Sequence, residues 1–223
     1  MNREFDNLHK GDNMKPKLLI LASGTATGGG SGFENLVKAQ HNGHLSARIV
    51  GVVSNHENGG VREKARELEV PFTYFPGPYT AEEYQKIVEK TEAQFVALSG
   101  WLKLVAGLDP RTTFNIHPGP LPRFGGKGMY GHHVHEAVMK AYKRGEIKES
   151  AVTMHFVTEK YDEGPVFFRK CVEILPTDTA ETLGKRVNAV EHAWQAGITN
   201  KVVNRQITWD GRRASSLLGD ISC

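Results

Sequence analysis

The segment FNIHP, residues 114–118, places an amide and an imidazole two residues apart, Asn115 and His117. On an extended strand, side chains two apart share a face, so this pair would project side by side. At the carboxyl end of a parallel strand that face opens on the crevice where α/β sheets bind ligands. The two groups suit acyl chemistry at a carbonyl: an Asn N–H and a protonated His stabilise a developing oxyanion, and the His can manage the proton of an attacking amine. A carboxylate beside the imidazole would raise its pKa and fix its tautomer, and the turn YDEGP (161–165) offers Asp162. An arbitrary Asn-x-His is also read as an Asx turn beside a satisfied histidine, so other features must decide.

A second candidate lies near the amino terminus. GTATGGGSGFEN (24–35) joins a strand-like run to a helix-like one and holds five glycines together with Thr25, Thr27 and Ser31. Backbone N–H groups in such a loop can approach an anion closely, and a helix N-terminus adds partial positive charge. No Lys follows the glycines as in a Walker A loop, and Gly30-x-Gly32 lacks the third glycine of a dinucleotide fingerprint. The loop favours a phosphate, or it is a glycine-rich connection and nothing more.

The surrounding pattern supplies the frame. Short β-type runs at 18–23, 47–55, 71–75, 95–100 and 114–118 alternate with helical periods near 32–42, 60–69, 80–91 and 131–144. That alternation predicts an α/β, Rossmann-like, mostly parallel sheet with helices on both faces. Runs 150–158 and 165–174 read as an antiparallel pair closing the sheet, residues 176–203 as one or two helices with Thr and Asp capping candidates, and 205–212 as a hairpin arm. Residues 1–13 are expected to be a flexible extension, 14–213 the catalytic domain and 214–223 a frayed tail.

Composition removes several function classes. The 223 residues carry 28 Lys and Arg against 25 Asp and Glu, with no basic block of the kind that grips nucleic acid. No apolar run approaches the ~18 residues of a membrane span. The two cysteines, Cys171 and Cys223, form neither a disulfide framework nor a metal pair. With no signal peptide evident, a cytoplasmic protein is expected. His132, His133 and His135 with Glu136 lack a recognised metal spacing, so no metal is assigned. His155 alternates within a strand run and reads as a packed or sheet-face residue. The aromatics Tyr74, Phe75, Tyr79 and Tyr84 read as packing around the third helix, and Trp101 as a core anchor whose indole needs a partner.

FNIHPGPLPRFGG (114–126), VTEKYDEGP (157–165), GSGFENL (30–36) and the pair Glu191–His192 together resemble the folate-dependent formyltransferases, in the branch serving purine synthesis. The resemblance runs from about Lys17 to about Trp209. It implies direct transfer of a formyl group from 10-formyltetrahydrofolate to the primary amine of a phosphoribosyl-glycinamide, without a covalent enzyme intermediate or a metal. Asn115 would stabilise the oxyanion and touch the folate, His117 would be the acid/base, and Asp162 would raise its pKa. Gly30, Ser31 and Gly32 would hold the substrate phosphate, and Glu191 would contact the substrate near its amine or ribose. Leu102, Lys103, Leu104 and Val105 would flank the pteridine, with the loop before Asp162 closing over it.

The chain departs from that pattern in places. Gly30-Ser31-Gly32 stands where the family commonly reads Gly-Ser-Asn, so a side-chain donor is missing, and GTATGG lengthens the turn before it. His117-Pro-Gly-Pro-Leu-Pro122 replaces the family's His-Pro-Ser-Leu-Leu-Pro, and 125–138 is enlarged. Ala81 and Lys103 stand where arginines are common. A different amine acceptor, hydrolysis of formyltetrahydrofolate, and a catalytically silent ligand-binding protein therefore stay open as alternatives. The expected partner is a small phosphoribosyl substrate, with neither nucleic acid nor membrane, for a monomer or homodimer. The length is expected to leave no room for an appended second domain.

Overall fold

The computed structural model describes residues 15–219, so the expected extension at 1–13 and the last four residues lie outside the described part. The elements follow in the order β1 (Lys17–Leu21), α1 (Ser31–His41), β2 (Arg48–Ser54), α2 (Gly60–Glu67), β3 (Phe72–Tyr74), α3 (Ala81–Thr91), β4 (Phe95–Ser99), β5 (Thr113–His117), α4 (His132–Lys143), β6 (Glu149–Phe156), β7 (Val166–Glu173) and α5 (Ala180–Val203). Every predicted strand and helix is present within a few residues of its expected bounds. The long carboxyl-terminal period is one helix. Thr179 caps it in a reciprocal box with Thr182, while Asp178 binds the Leu175 N–H and the Arg186 guanidinium.

The seven strands form one sheet in the order β3-β2-β1-β4-β5-β6-β7. β1 to β5 pair in parallel, and β6 is antiparallel to both β5 and β7, so β6 alone runs against the rest. The chain leaves β1 toward β2 on one side and β4 on the other. The topological switch point therefore falls at the carboxyl ends of β1 and β4, the usual location of a ligand crevice.

Strand alternation distributes the core. Leu18 and Ile20 of β1, with Phe114 and Ile116 of β5, pack in one cluster with Phe33 and Leu36 of α1, Val134 and Val138 of α4, and Leu183 and Val187 of α5. Leu19 and Leu21, with Val96 and Leu98 of β4, face the opposite way against Tyr84 of α3, Phe75 and Trp101. Burying Phe114 and Ile116 turns Asn115 and His117 to that second face. There the loop 118–130 meets β6 and β7 by its backbone: the Gly119 carbonyl accepts from Thr153 Oγ1 at 2.8 Å and the Leu121 carbonyl from Arg169.

The aromatic group behaves as packing with a positioning role. Trp101 Nε1 donates to Tyr84 Oη at 3.0 Å, and Tyr84 Oη donates to the Leu104 carbonyl at 3.0 Å, so α3 holds the loop after β4. Tyr79 packs edge-on to Phe75 and Trp101, whereas Tyr74 is exposed. In the described part of the expected tail, Ala214–Ser216 makes a 3-10 turn and Thr208 pairs with Leu218 through two backbone bonds, which is the return of the expected hairpin arm.

The turn from β6 to β7 has no slack. A Cβ on Gly164 would stand 1.7 Å from the Phe156 carbonyl oxygen, and the Phe156 N–H donates to the Pro165 carbonyl at 3.1 Å. Gly164→Ala must open this turn, which carries Asp162. Urea unfolding should show a loss of about 2–4 kcal/mol; an unchanged midpoint would show that the backbone yields there at no cost.

Candidate active site

Asp162 organises the polar cluster at the ends of β5 and β6. It occupies a left-handed backbone conformation (φ 56), which a short Asp side chain tolerates better than most. Its Oδ2 accepts from the Gly126 N–H at 2.9 Å and lies 3.8 Å from His117 Nδ1; its Oδ1 lies 3.3 Å from His155 Nε2 and 3.4 Å from Asn115 Nδ2. Burial pushes its carboxyl upward, but the His155 hydrogen bond, the His117 ring and the Gly126 N–H outweigh burial and hold it below the ordinary range.

His117 is 3% exposed, and its Nε2 donates to the Phe124 carbonyl at 2.8 Å. The expected raising of its pKa by Asp162 is present as an opposing influence, yet burial dominates and leaves the imidazole below its ordinary value. It is therefore neutral near pH 7 in this structure. A buried cation gains too little from a carboxylate 3.8 Å away to offset its lost hydration.

His155, read from sequence as a packed strand residue, belongs to this cluster. It pairs in register with Asn115, its Nδ1 donates to the Phe156 carbonyl at 2.8 Å, and its Nε2 sits 3.1 Å from Asn115 Nδ2. Nothing in the alternation marks it as special, because only the β5–β6 register puts it opposite Asn115.

The cluster opens on a cleft of about 670 Å³, within the usual size of small-molecule sites. Gly30, Ser31 and Gly32 form part of its wall, at the start of α1. Gly30 caps that helix in a left-handed conformation (φ 76) and offers no side chain to the first-turn N–H groups. The lengthened GTATGG turn folds on itself, with the Thr25 N–H donating to the Gly28 carbonyl at 2.8 Å. Glu34 is held at about 2 by Lys38 and Lys64, and this trio leaves one net positive charge beside the loop.

Helix α5 supplies the opposite wall. Gly184, Asn188, Glu191 and Gln195 recur at steps of four, three and four, which makes one stripe of a helix, and all four line the cleft. Only Glu191 stood out in the sequence; the stripe containing it was the available signal for Asn188 and Gln195. Burial pushes the Glu191 carboxyl up to about 7, with the Asn188 side chain opposing. His135 also lines the cleft, its Nδ1 buried without a partner, and burial lowers it to about 4. His132 lies at the edge of the cleft as well, and both it and His133 sit within 3.6 Å of the Glu136 carboxylate; no group of three metal-binding side chains occurs among the described residues.

The segment expected to flank a pteridine divides. Leu102 lines the main cleft, and Val105 lines a neighbouring cavity of about 460 Å³ with Leu108, Val157 and residues 158–160. Lys103 and Leu104 line neither: the Lys103 ammonium lies over the Tyr79 ring, and Leu104 is exposed with its carbonyl bound by Tyr84.

An amide and an imidazole at the end of β5, a glycine loop at the start of α1 and a titratable carboxyl on α5 line one cleft, and the fold is that of an α/β group-transfer enzyme. The chain belongs to the formyl transferase family, whose model matches residues 17–198. It is 33% identical over 206 residues to the chloroplastic phosphoribosylglycinamide formyltransferase of Arabidopsis thaliana, covering 87% of this chain and 68% of that one. It is 30% identical to the phosphoribosylglycinamide formyltransferase of Bacillus subtilis, covering 80% of this chain and 92% of that one. Among solved structures, glycinamide ribonucleotide transformylase 1 from Symbiobacterium toebii superposes with a TM-score of 0.76 at 26% identity, covering 89% of this chain and 92% of that one.

Glu191 makes stability depend on pH. Its folded-state pKa of about 7 exceeds the ordinary 4.5, so the folded form binds the extra proton, and this contribution is complete below pH 4.5 and lost as pH rises through 7. Glu191→Gln, neutral throughout, should melt several degrees above wild type at pH 8 and level with it near pH 4.5. A gain of equal size at both pH values would show that the carboxyl is not held high.

Proposed function

We propose that this protein transfers the formyl group of 10-formyltetrahydrofolate to the primary amine of 5-phosphoribosylglycinamide; its relatives are named phosphoribosylglycinamide formyltransferases. The observation that carries the reading is the convergence of Asn115, His117 and Asp162 on one end of a cleft whose walls hold the glycine loop and Glu191. The folate supplies an activated formyl carbon. Its fit rests on the cavity beside the cleft, where Val105, Leu108 and Val157 give an apolar slot for a flat heterocycle and the 157–160 backbone gives polar edges.

The residues then divide the work. Glu191, ionising near neutral pH, accepts a proton from the attacking amine. Asn115 Nδ2 and the His117 ring stabilise the negative charge that develops on the formyl oxygen. As that charge develops, the proton taken by Glu191 passes through cleft water to His117, and Asp162, ionised on its Nδ1 side, balances the imidazolium. The proton is then available to the departing folate nitrogen, which restores the neutral ring. Gly30, Ser31 and Gly32 hold the phosphate by backbone N–H groups at the start of α1.

Leu102 and Val105 flank the folate in this reading, and Lys103 acts through the Tyr79 contact. We place the enzyme in the cytoplasm as a monomer or homodimer acting on a small molecule. Among the described residues no helix is long and apolar enough to cross a membrane.

Purified protein should formylate phosphoribosylglycinamide in the presence of 10-formyltetrahydrofolate. His117→Ala should lower kcat by about 10³-fold and Asp162→Asn by about 10²-fold. Activity within tenfold of wild type in both variants would sink the mechanism. Release of free formate at the same rate without any amine would make the protein a hydrolase instead.

A further inference from the structure

Gly32 carries no side chain, and the space one would take is already filled. A Cβ there would stand 2.2 Å from Ser99 Oγ and 3.2 Å from Gln195 Nε2. Ser99 ends β4 at the sheet switch point, is 8% exposed, and lines the cleft with Gly30, Ser31 and Gly32. Strand β4, helix α1 and helix α5 thus meet at one hydroxyl.

The direction of each hydrogen bond at this meeting point is set by its neighbours. Asn35 Nδ2 donates to the His192 carbonyl at 3.0 Å and to Gln195 Oε1 at 3.3 Å. With its carbonyl end engaged by a donor, Gln195 presents Nε2 to Ser99 Oγ at 3.0 Å, and the serine oxygen is the acceptor. A hydroxyl has one hydrogen and two lone pairs, so accepting from Gln195 leaves the Ser99 hydrogen to be donated elsewhere. Among the described residues Ser99 Oγ donates no hydrogen bond. A nearly buried O–H donor with its hydrogen unspent therefore faces the cleft wall where the α1 N-terminus and the Glu34–Lys38–Lys64 trio favour negative charge.

We propose that Ser99 is the side-chain donor to the phosphoryl group of the substrate, with Gln195 as its positioning residue. This side-chain donor comes from the strand side, and position 32 is glycine because the hydroxyl occupies the space where its Cβ would be. The identity of the phosphate carrier rests on the proposed function above; the anion site itself does not.

Two measurements on Ser99→Ala separate these. In steady-state kinetics the KM for phosphoribosylglycinamide should rise about tenfold to hundredfold, the worth of one hydrogen bond to a charged group, with kcat and the folate KM within threefold. The same acceptor without its phosphate should be used equally poorly by wild type and variant. Gln195→Leu, which leaves the hydroxyl unoriented, should show a smaller rise in the same KM. In calorimetric titration with inorganic phosphate, wild type should bind at least tenfold more tightly than Ser99→Ala, with melting temperatures within a few degrees.

An unchanged KM, or an equal loss with the phosphorylated and dephosphorylated acceptors, overturns the assignment. Equal phosphate affinity in the two proteins does the same. If wild type binds phosphate through Ser99 yet formylates nothing, the anion site stands and the proposed reaction falls.

Discussion

One buried carboxylate holds the reactive end of this molecule together. Asp162 lies beside four groups from three places in the chain: His117 and Asn115 on β5, His155 on β6 and the Gly126 N–H of the glycine-rich loop. A carboxylate removed from water is stable only when donors and positive charge surround it, and withdrawing one partner from such a buried pair typically costs about 3–5 kcal/mol. The need to satisfy Asp162 therefore dictates where the turn 157–165 closes. It also dictates the path of the loop 118–130, and the imidazoles must stand beside the carboxyl.

The same constraint explains the protonation pattern. Asp162 is held low because donors converge on it, whereas burial lowers the more deeply buried His117. At the far wall Glu191 lies among few donors and titrates near neutrality. Two carboxyl groups in one cleft thus have their pKa values pushed apart by environment. The sheet keeps the two apart, since Asp162 follows β6 while Glu191 rides on α5.

Much of the frame was legible beforehand because strand and helix periodicities are local. LLIL, FVALS and FNIH are short apolar or alternating runs between turn signals, and each became a strand close to its expected bounds. The helices were read from their apolar stripes, and the Thr and Asp capping candidates before the last helix include the Thr179 that caps it. Asn115 and His117 share a face because strand geometry requires it. The glycine loop falls at the start of α1 because strand–loop–helix order puts it there. His155 was not legible, since its partner on β5 is 40 residues away and the register between antiparallel strands is a property of the pair. Gln195 was hidden for a similar reason: its contact to Ser99 spans 96 residues.

The residue types and spacings alone determined the α/β frame and the placement of the amide, the imidazole and the glycine loop, because these depend on local geometry, while the class of chemistry followed from the resemblance of the motifs to a family. Only the tertiary structure decided how those groups are charged and which neighbours serve them. Burial set His117 below its ordinary value despite Asp162, raised Glu191, and brought Ser99 against Gly32, where no sequence spacing could place it. Desolvation and close packing depend on what the whole fold puts around a group, and that surrounding is assembled from elements far apart in the chain.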